Sequence, residues 1–80
     1  MTTEQVKKTH AYKTIMQIVE NTRRVKERIE ILSDRFHVEN KAMGSGGVGQ
    51  VKELKDHFRV QVSYGIGKWN YAYCVILYKS

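Results

Sequence analysis

A single apolar stripe through the first 40 residues constrains the fold of this chain more than any other feature. The stripe advances in alternating steps of four and three residues, at Ala11, Ile15, Ile18, Thr22, Val25, Ile29, Leu32 and Phe36. This heptad spacing is typical of an amphipathic helix. Thr2, with Gln5 three residues later, has the spacing of an N-terminal capping box. Residues 1–40 are therefore predicted to be helical.

The length of the stripe creates a packing problem. A continuous helix over residues 3–39 would be about 55 Å long, whereas a compact chain of 80 residues has a radius of gyration of about 12 Å. Either the helix breaks, at Asn21-Thr22 or at Ser33-Asp34, or a second copy of the chain covers the overhang. Because the heptad phase is unbroken, we predict a homodimer, with a bent helix pair in a monomer as the alternative. Its interface would be the apolar face Ile15, Ile18, Val25, Ile29, Leu32 and Phe36.

The C-terminal residues 57–80 are predicted to form a β-hairpin. Apolar residues alternate with other residues on both sides of a turn at 65–68. Placing Val60 opposite Tyr73 brings the apolar side chains to one face. A hairpin alone is only marginally stable in water, so we expect this face to pack against the helix.

These elements predict one α+β domain over residues 1–80. A long N-terminal amphipathic helix, either continuous or broken, would pack on a C-terminal antiparallel β-hairpin or small sheet. Between residues 1–40 and 57–80 we expect a glycine-rich loop at 41–49 and a short helix or strand at 50–56. A chain of this length has no room for a second domain.

The composition favours a cytoplasmic protein that does not contact a membrane. The single cysteine cannot form an internal disulfide, which is the usual staple of small secreted domains. The first residues lack the apolar core of a signal peptide, and no stretch approaches the 18 or so apolar residues of a membrane span.

The glycine-rich loop resembles two phosphate-binding patterns but lacks their chemistry. Its glycines fit G-x-G-x-x-G and the frame of a P-loop, yet Gln50 and Val51 stand where a P-loop has lysine and a hydroxyl residue. No acidic residue follows Asp56, although a dinucleotide site needs one about 20 residues after its glycines. We predict a linker and no cofactor, with anion binding by the loop amides as the remaining alternative.

The residues that most often bind metals or catalyse reactions are scattered along the sequence. His10, His37, His57 and Cys74 do not follow any metal-ligand spacing. Cys74 lies in an alternating apolar segment, where a free thiol is usually a small hydrophobic residue. We therefore predict no metal site and no catalytic residue.

Charge suggests a binding role. The net charge is +6, and the hairpin segment contains cations and aromatic residues but no acid. Cations hold phosphates and rings stack bases in single-stranded nucleic-acid platforms. The aromatic residues of the hairpin occupy the same alternate positions as its apolar residues, so we expect many of them to lie in the core. The predicted nucleic-acid or partner-binding residues are Arg59, Gln61, Lys68, Trp69, Asn70, Lys79, Arg23 and Arg24.

Three function classes follow from these observations. The first is a non-catalytic small basic module that binds nucleic acid or acts as a regulator. The second is an inhibitor or adaptor of a host protein, of the kind that phages and mobile elements encode. The third is a small toxin-type ribonuclease that works without metal, for which the sequence contains no compact acid-base cluster.

Overall fold

A computed structural model describes residues 1–41, 47–63 and 72–79 of the chain. Over these residues it contains three helices and a four-stranded antiparallel sheet, which confirms the mixed helix and sheet class. The helices are α1 (Thr3–Val6), α2 (His10–Asn21) and α3 (Val25–Ser33). The strands are β1 (His37–Glu39), β2 (Val51–Glu53), β3 (His57–Ser63) and β4 (Tyr73–Tyr78). None of the helices in the described ranges is long and apolar enough to cross a membrane.

The predicted long helix is divided into three short ones. The capping box at Thr2 is present, since the Gln5 amide donates to the Thr2 hydroxyl and the Thr2 amide donates to Gln5 Oε1. A second N-cap follows at Thr9, whose hydroxyl accepts from the Tyr12 amide at 3.2 Å. This cap begins α2 and separates it from α1. Serine and threonine hydroxyls compete with helical carbonyls for backbone amides, so a new helix begins at each of these caps.

The helix also ends at both places where the sequence allowed a break. Thr22 is extended after α2, and α3 ends at Ser33 with Asp34 as its C-cap. Residues 37–39, predicted to be helical, form strand β1 instead. The rod on which the dimer argument depended is therefore absent, and Ile15 and Leu32 are fully buried within one chain. Of the other predicted interface residues, Ile18, Ile29 and Phe36 pack against the same core and Val25 is half-buried.

The sheet has the strand order β1-β4-β3-β2, with every neighbouring pair antiparallel. Val60 lies opposite Val75, so the predicted pairing of Val60 with Tyr73 is wrong by two residues. A shift of two preserves which side chains share a face, and for that reason alternation along the strand could not detect it. The predicted turn at 65–68 lies outside the described residues.

The segment between the helices and the hairpin forms an edge strand rather than a helix. Strand β2 pairs with β3, and the pairing continues beyond it. The Gln61 amide donates to the Gln50 carbonyl at 2.9 Å, and the Gly49 amide donates to the Gln61 carbonyl at 2.7 Å. The end of the predicted glycine-rich linker is thus attached to the sheet, while residues 42–46 lie outside the described ranges.

The helices cover one face of the sheet and form the apolar core with it. The fully buried or nearly buried members of this core are Ile15, Val19, Leu32, Val60, Val62 and Val75. Arg28 joins the two layers through hydrogen bonds, because its Nε donates to the Thr22 carbonyl at 2.9 Å and its Nη1 donates to the Val62 carbonyl at 2.9 Å. Burial lowers the pKa of Arg28 from its ordinary value. One side chain thereby satisfies the carbonyl after α2 and one near the end of β3.

Candidate functional site

The second face of the sheet holds two of the predicted binding residues, and both are buried. Arg59 is 8% exposed and Gln61 is 2% exposed. Arg59 Nη2 donates to Glu39 Oε2 at 2.8 Å, which links β3 to β1 across β4. In this arrangement the two side chains offer little surface to a phosphate backbone.

Charge and burial shape the chemistry of this face. The hydrogen bond from Arg59, followed by that from His37, lowers the pKa of Glu39. Burial raises the pKa of the Cys74 thiol, which donates to the Lys41 carbonyl at 3.1 Å. A thiol is a good nucleophile only as the thiolate. The surroundings of Cys74 therefore favour its role as a buried neutral residue.

The other predicted binding residues do not converge on one site. Lys79 Nζ pairs with Glu53 Oε2 at 2.9 Å and lies 5.2 Å from the centre of the Phe58 ring. Arg23 and Arg24 are exposed between α2 and α3, where Arg24 lies 3.6 Å from Glu27. Lys68, Trp69 and Asn70 are outside the described residues.

Two histidines contact carboxylates on neighbouring positions. His57 Nδ1 lies 2.7 Å from Asp56 Oδ1, and His37 Nε2 lies 3.3 Å from Glu39 Oε1. The hydrogen bond with His57 lowers the pKa of Asp56. Within the described ranges, no three His, Cys, Asp or Glu side chains are close enough together to hold a metal ion.

Two shallow hollows, both open to solvent, lie elsewhere, along α2, away from the predicted binding residues. One hollow of about 430 Å³ lies between the first two helices and residues 47–51. A second hollow of about 480 Å³ follows α2 from His10 to Glu20. Lys7, Tyr12 and Met16 line both hollows and thus form the ridge between them. We call the two hollows and this ridge the α2 trough.

The glycine-rich segment is held at the ridge by Tyr12. The Tyr12 hydroxyl donates to the Gly49 carbonyl at 2.7 Å. Gly49 has a φ of +93°, and a Cβ atom there would lie 3.1 Å from Met16 Cε and 3.2 Å from the Tyr12 hydroxyl oxygen. Glycine is therefore required both by the backbone conformation and by the close approach of the ridge.

The trough is lined by cations. The cations are Lys7 and Lys13, which are exposed at its border together with His10, and Glu20 is the acidic residue at its far end. Neither Lys7 nor Lys13 takes part in an ion pair within the described part of the chain. The first turn of α2 contains no acidic side chain to offset the positive end of the helix dipole. The arrangement favours binding of an anion.

A sequence signal for this site exists. Residues 5–19 contain Lys7, Lys8, His10 and Lys13 but no acidic residue. Binding residues were predicted mainly on the acid-free hairpin and not on this second acid-free segment. The positive charge of this segment is not visible in the net charge of the N-terminal half, because the acidic residues of 20–39 offset most of the basic residues there.

The chain was also compared with known proteins. No protein-family model, curated protein or solved structure matches it. The function of the α2 trough is therefore interpreted from its own shape and charge.

Proposed function

We propose that the chain is a non-catalytic module that binds nucleic acid through the phosphates, using the α2 trough. The observation that carries the proposal is a pair of shallow hollows bordered by Lys7, His10 and Lys13, in a segment without acids. Lysine side chains that neutralise phosphates release counterions, and this release supplies most of the affinity of non-specific binding.

The position of these cations is hard to explain by stability alone. Positive side chains near a helix N-terminus are unfavourable because they face the positive end of the dipole. Thr9 caps α2, yet Lys7, Lys8 and Lys13 surround its first turns. A bound phosphate would relieve this repulsion, because it would interact favourably with the lysines and with the helix end.

A binding role is favoured over a ribonuclease because of the environments of the reactive groups. The Cys74 thiol is buried and its pKa is raised. His37 and His57 contact Glu39 and Asp56 on strands and turns that do not line the α2 trough. His10 does border the trough, but it contacts the Thr14 hydroxyl at 3.4 Å and not a carboxylate. Within the described residues, the trough thus holds a histidine without a paired second acid-base group.

The test is a salt titration of binding with charge-matched variants. Fluorescence anisotropy with a labelled 20-mer should show an affinity that falls steeply between about 50 and about 300 mM salt. Lys7→Gln/Lys13→Gln should weaken binding and reduce the log-log salt slope by about 1.4 to 1.8, since two phosphate contacts are lost.

The matched control removes the same charge from another surface. Lys52 and Lys55 are exposed in β2 and the turn after it, and neither borders the trough. Lys52→Gln/Lys55→Gln should retain nearly all of the affinity. Equal losses in the two double variants, or an affinity that does not respond to salt, would contradict the proposal.

A second candidate function is inhibition or adaptation of a host protein, as by a module from a phage or mobile element. The observation that favours it is an apolar groove of about 550 Å³ between α1 and the ends of β3 and β4, beside Tyr78, which is 64% exposed. Exposed tyrosines are frequent hot spots of protein interfaces. A pull-down that recovers one stoichiometric protein after nuclease treatment, and loses it with Tyr78→Ala, would support this function over the first.

The homodimer remains a prediction that now has less support. Its predicted face is largely used inside one chain, through Ile15 and Leu32. Light scattering at tens of micromolar distinguishes a 9.3 kDa particle from one of twice that mass. A cytoplasmic setting is likewise proposed, because the single cysteine is a free thiol and such thiols persist in reducing compartments.

A further inference from the structure

The ridge that divides the α2 trough carries an aromatic ring between two hollows. Tyr12 lines both of them, with Lys7 on the same ridge and Lys13 bordering the second hollow. We propose that the trough takes single-stranded nucleic acid and that one base stacks on Tyr12. This inference rests on the proposed function and specifies its ligand.

The shape of the surface favours a single strand over a duplex. A helix that recognises duplex DNA protrudes so that it can enter the major groove. Residues 47–51 lie beside the N-terminal half of α2, so this part of the helix does not stand clear of the surface. The lysines border two shallow hollows that are open to solvent. A flexible single strand can follow the surface from one hollow to the next, whereas a duplex is stiff over such a short distance.

Each hollow is open to solvent and has a volume of about 430 Å³ or about 480 Å³, so a nucleotide would lie along it with one side exposed. Successive nucleotides of one strand could occupy the two hollows on either side of the ridge. Aromatic rings flanked by cations are the usual elements of sequence-tolerant single-strand binding.

Tyr12 is held in place before any ligand arrives. Its ring packs against the core, and its hydroxyl donates to the Gly49 carbonyl at 2.7 Å. A fixed ring loses little conformational entropy when a base stacks on it. Gly49 maintains this arrangement, because a Cβ atom there would press on Met16 and on the Tyr12 hydroxyl.

The experiment compares oligothymidine of about 12 nucleotides with a duplex of equal length at the same salt concentration. We expect the single strand to bind more tightly. Tyr12→Leu keeps an apolar side chain but removes the ring, and it should weaken single-strand binding roughly 5- to 150-fold. Tyr12→Phe keeps the ring and loses only the hydrogen bond to Gly49, so its effect should be much smaller. Circular dichroism melting checks that each variant folds.

A second measurement does not depend on the folding of any variant. Single-stranded oligonucleotide containing 5-bromouridine is crosslinked by light to the wild-type protein, and the modified peptide is identified by mass spectrometry. We expect the adduct on Tyr12. An adduct confined to other residues would overturn the inference.

The outcomes separate this inference from the proposed function. If single strand and duplex bind equally, or if folded Tyr12→Leu binds the single strand as tightly as wild type, the stacking inference is wrong. The proposed function would still stand if Lys7→Gln/Lys13→Gln lowers the salt-dependent affinity. If neither nucleic acid binds, both are wrong.

Discussion

The two faces of the sheet are both buried, but by different interactions. On the face toward the helices, Val60, Val62 and Val75 are fully buried in an apolar core. On the opposite face, Arg59 and Gln61 alternate with these valines along β3 and are almost equally buried. The alternation along β3 therefore places apolar side chains on one face and polar side chains on the other, but both faces are buried.

The difference lies in what each face contributes. Apolar burial depends on the area removed from water and has little directional preference. The ion pair between Arg59 and Glu39 has a defined geometry, because the guanidinium donates to one carboxylate oxygen at 2.8 Å. We infer that the apolar face supplies most of the stability. The polar face fixes how β1, β4 and β3 are aligned.

The largest effect is expected from truncating the apolar core. Leu32→Ala removes a fully buried side chain and leaves a cavity, so the free energy of unfolding should fall by about 2 to 5 kcal/mol. Ile31→Ala in the same helix is the control, because Ile31 is 41% exposed. Urea denaturation measures both variants. A similar loss in the two would contradict the assignment of the helix faces.

Disrupting the ion pair between Arg59 and Glu39 should cost less stability than truncating the core, and the cost should depend on which partner is replaced. Glu39→Ala leaves the buried Arg59 guanidinium without its counter-charge, whereas Arg59→Met replaces it by an apolar side chain and leaves a partly exposed carboxylate. Unpaired buried charge is costly, while an apolar replacement can be nearly neutral. Glu39→Ala should therefore lower the urea midpoint more than Arg59→Met, and less than Leu32→Ala. The reverse order of the two pair variants would show that the pairing does not support this face.

The acid dependence of stability should be smaller still and should also come from the polar side. The pKa of Glu39 is lowered from 4.5 by Arg59 and His37, and that of Glu53 is lowered from 4.5 by Lys79. A lowered pKa means that the folded state binds protons less readily than the unfolded state. The resulting stability is fully present above pH 4.5 and is lost as the pH falls through the lowered pKa values.

Thermal unfolding at a series of acid pH values checks this expectation. In Glu39→Gln the melting temperature should fall less steeply with acid than in the wild type. Glu4→Gln is the control, because Glu4 forms no ion pair in the described part of the chain. An equal acid slope for wild type and Glu39→Gln would count against the contribution of Glu39.

The smallest effect is expected outside both faces. Arg24 and Glu27 form a pair on the surface of α3, with side chains that are mostly exposed. Such pairs contribute about 0 to 0.5 kcal/mol, because water and salt screen them. Arg24→Gln should leave the urea midpoint almost unchanged. A loss comparable to that of Glu39→Ala would mean that surface charge matters as much here as buried charge.

Periodicity in the sequence predicted which faces of the helices and of the hairpin strands form the apolar core. It was less successful for where the helices end and which strand residues pair. Ile15 and Leu32 are buried as the stripe required, and the apolar parity of the hairpin faces the helices. Helix ends depended on hydroxyl caps such as Thr9, which the heptad spacing does not reveal. The predicted register of β3 with β4 was wrong by two residues. A shift by an even number of residues leaves every side chain on the same face of the sheet, so the alternation of apolar residues cannot detect it.

The remaining parts depended on long-range contacts. Strand β1 has only three residues, and its pairing with β4 connects positions such as Val38 and Val75, which are far apart in the sequence. The α2 trough depends on the hydrogen bond between Tyr12 and Gly49, again across a long separation. Arg59 and Gln61 were predicted to be exposed because polar side chains on a hairpin usually face water. Here Arg59 pairs with Glu39, and that pairing allows it to be buried.

The central place of β4 has a consequence for synthesis on the ribosome. Strands β1 and β3 are both hydrogen-bonded to β4 and not to each other. Until residue 78 has left the exit tunnel, the nascent chain lacks the strand with which both β1 and β3 pair. Val75 of β4 would be missing from the apolar core during that interval, so the core would be only partly covered. We therefore expect this domain to complete its fold in one late step rather than progressively from the N-terminus.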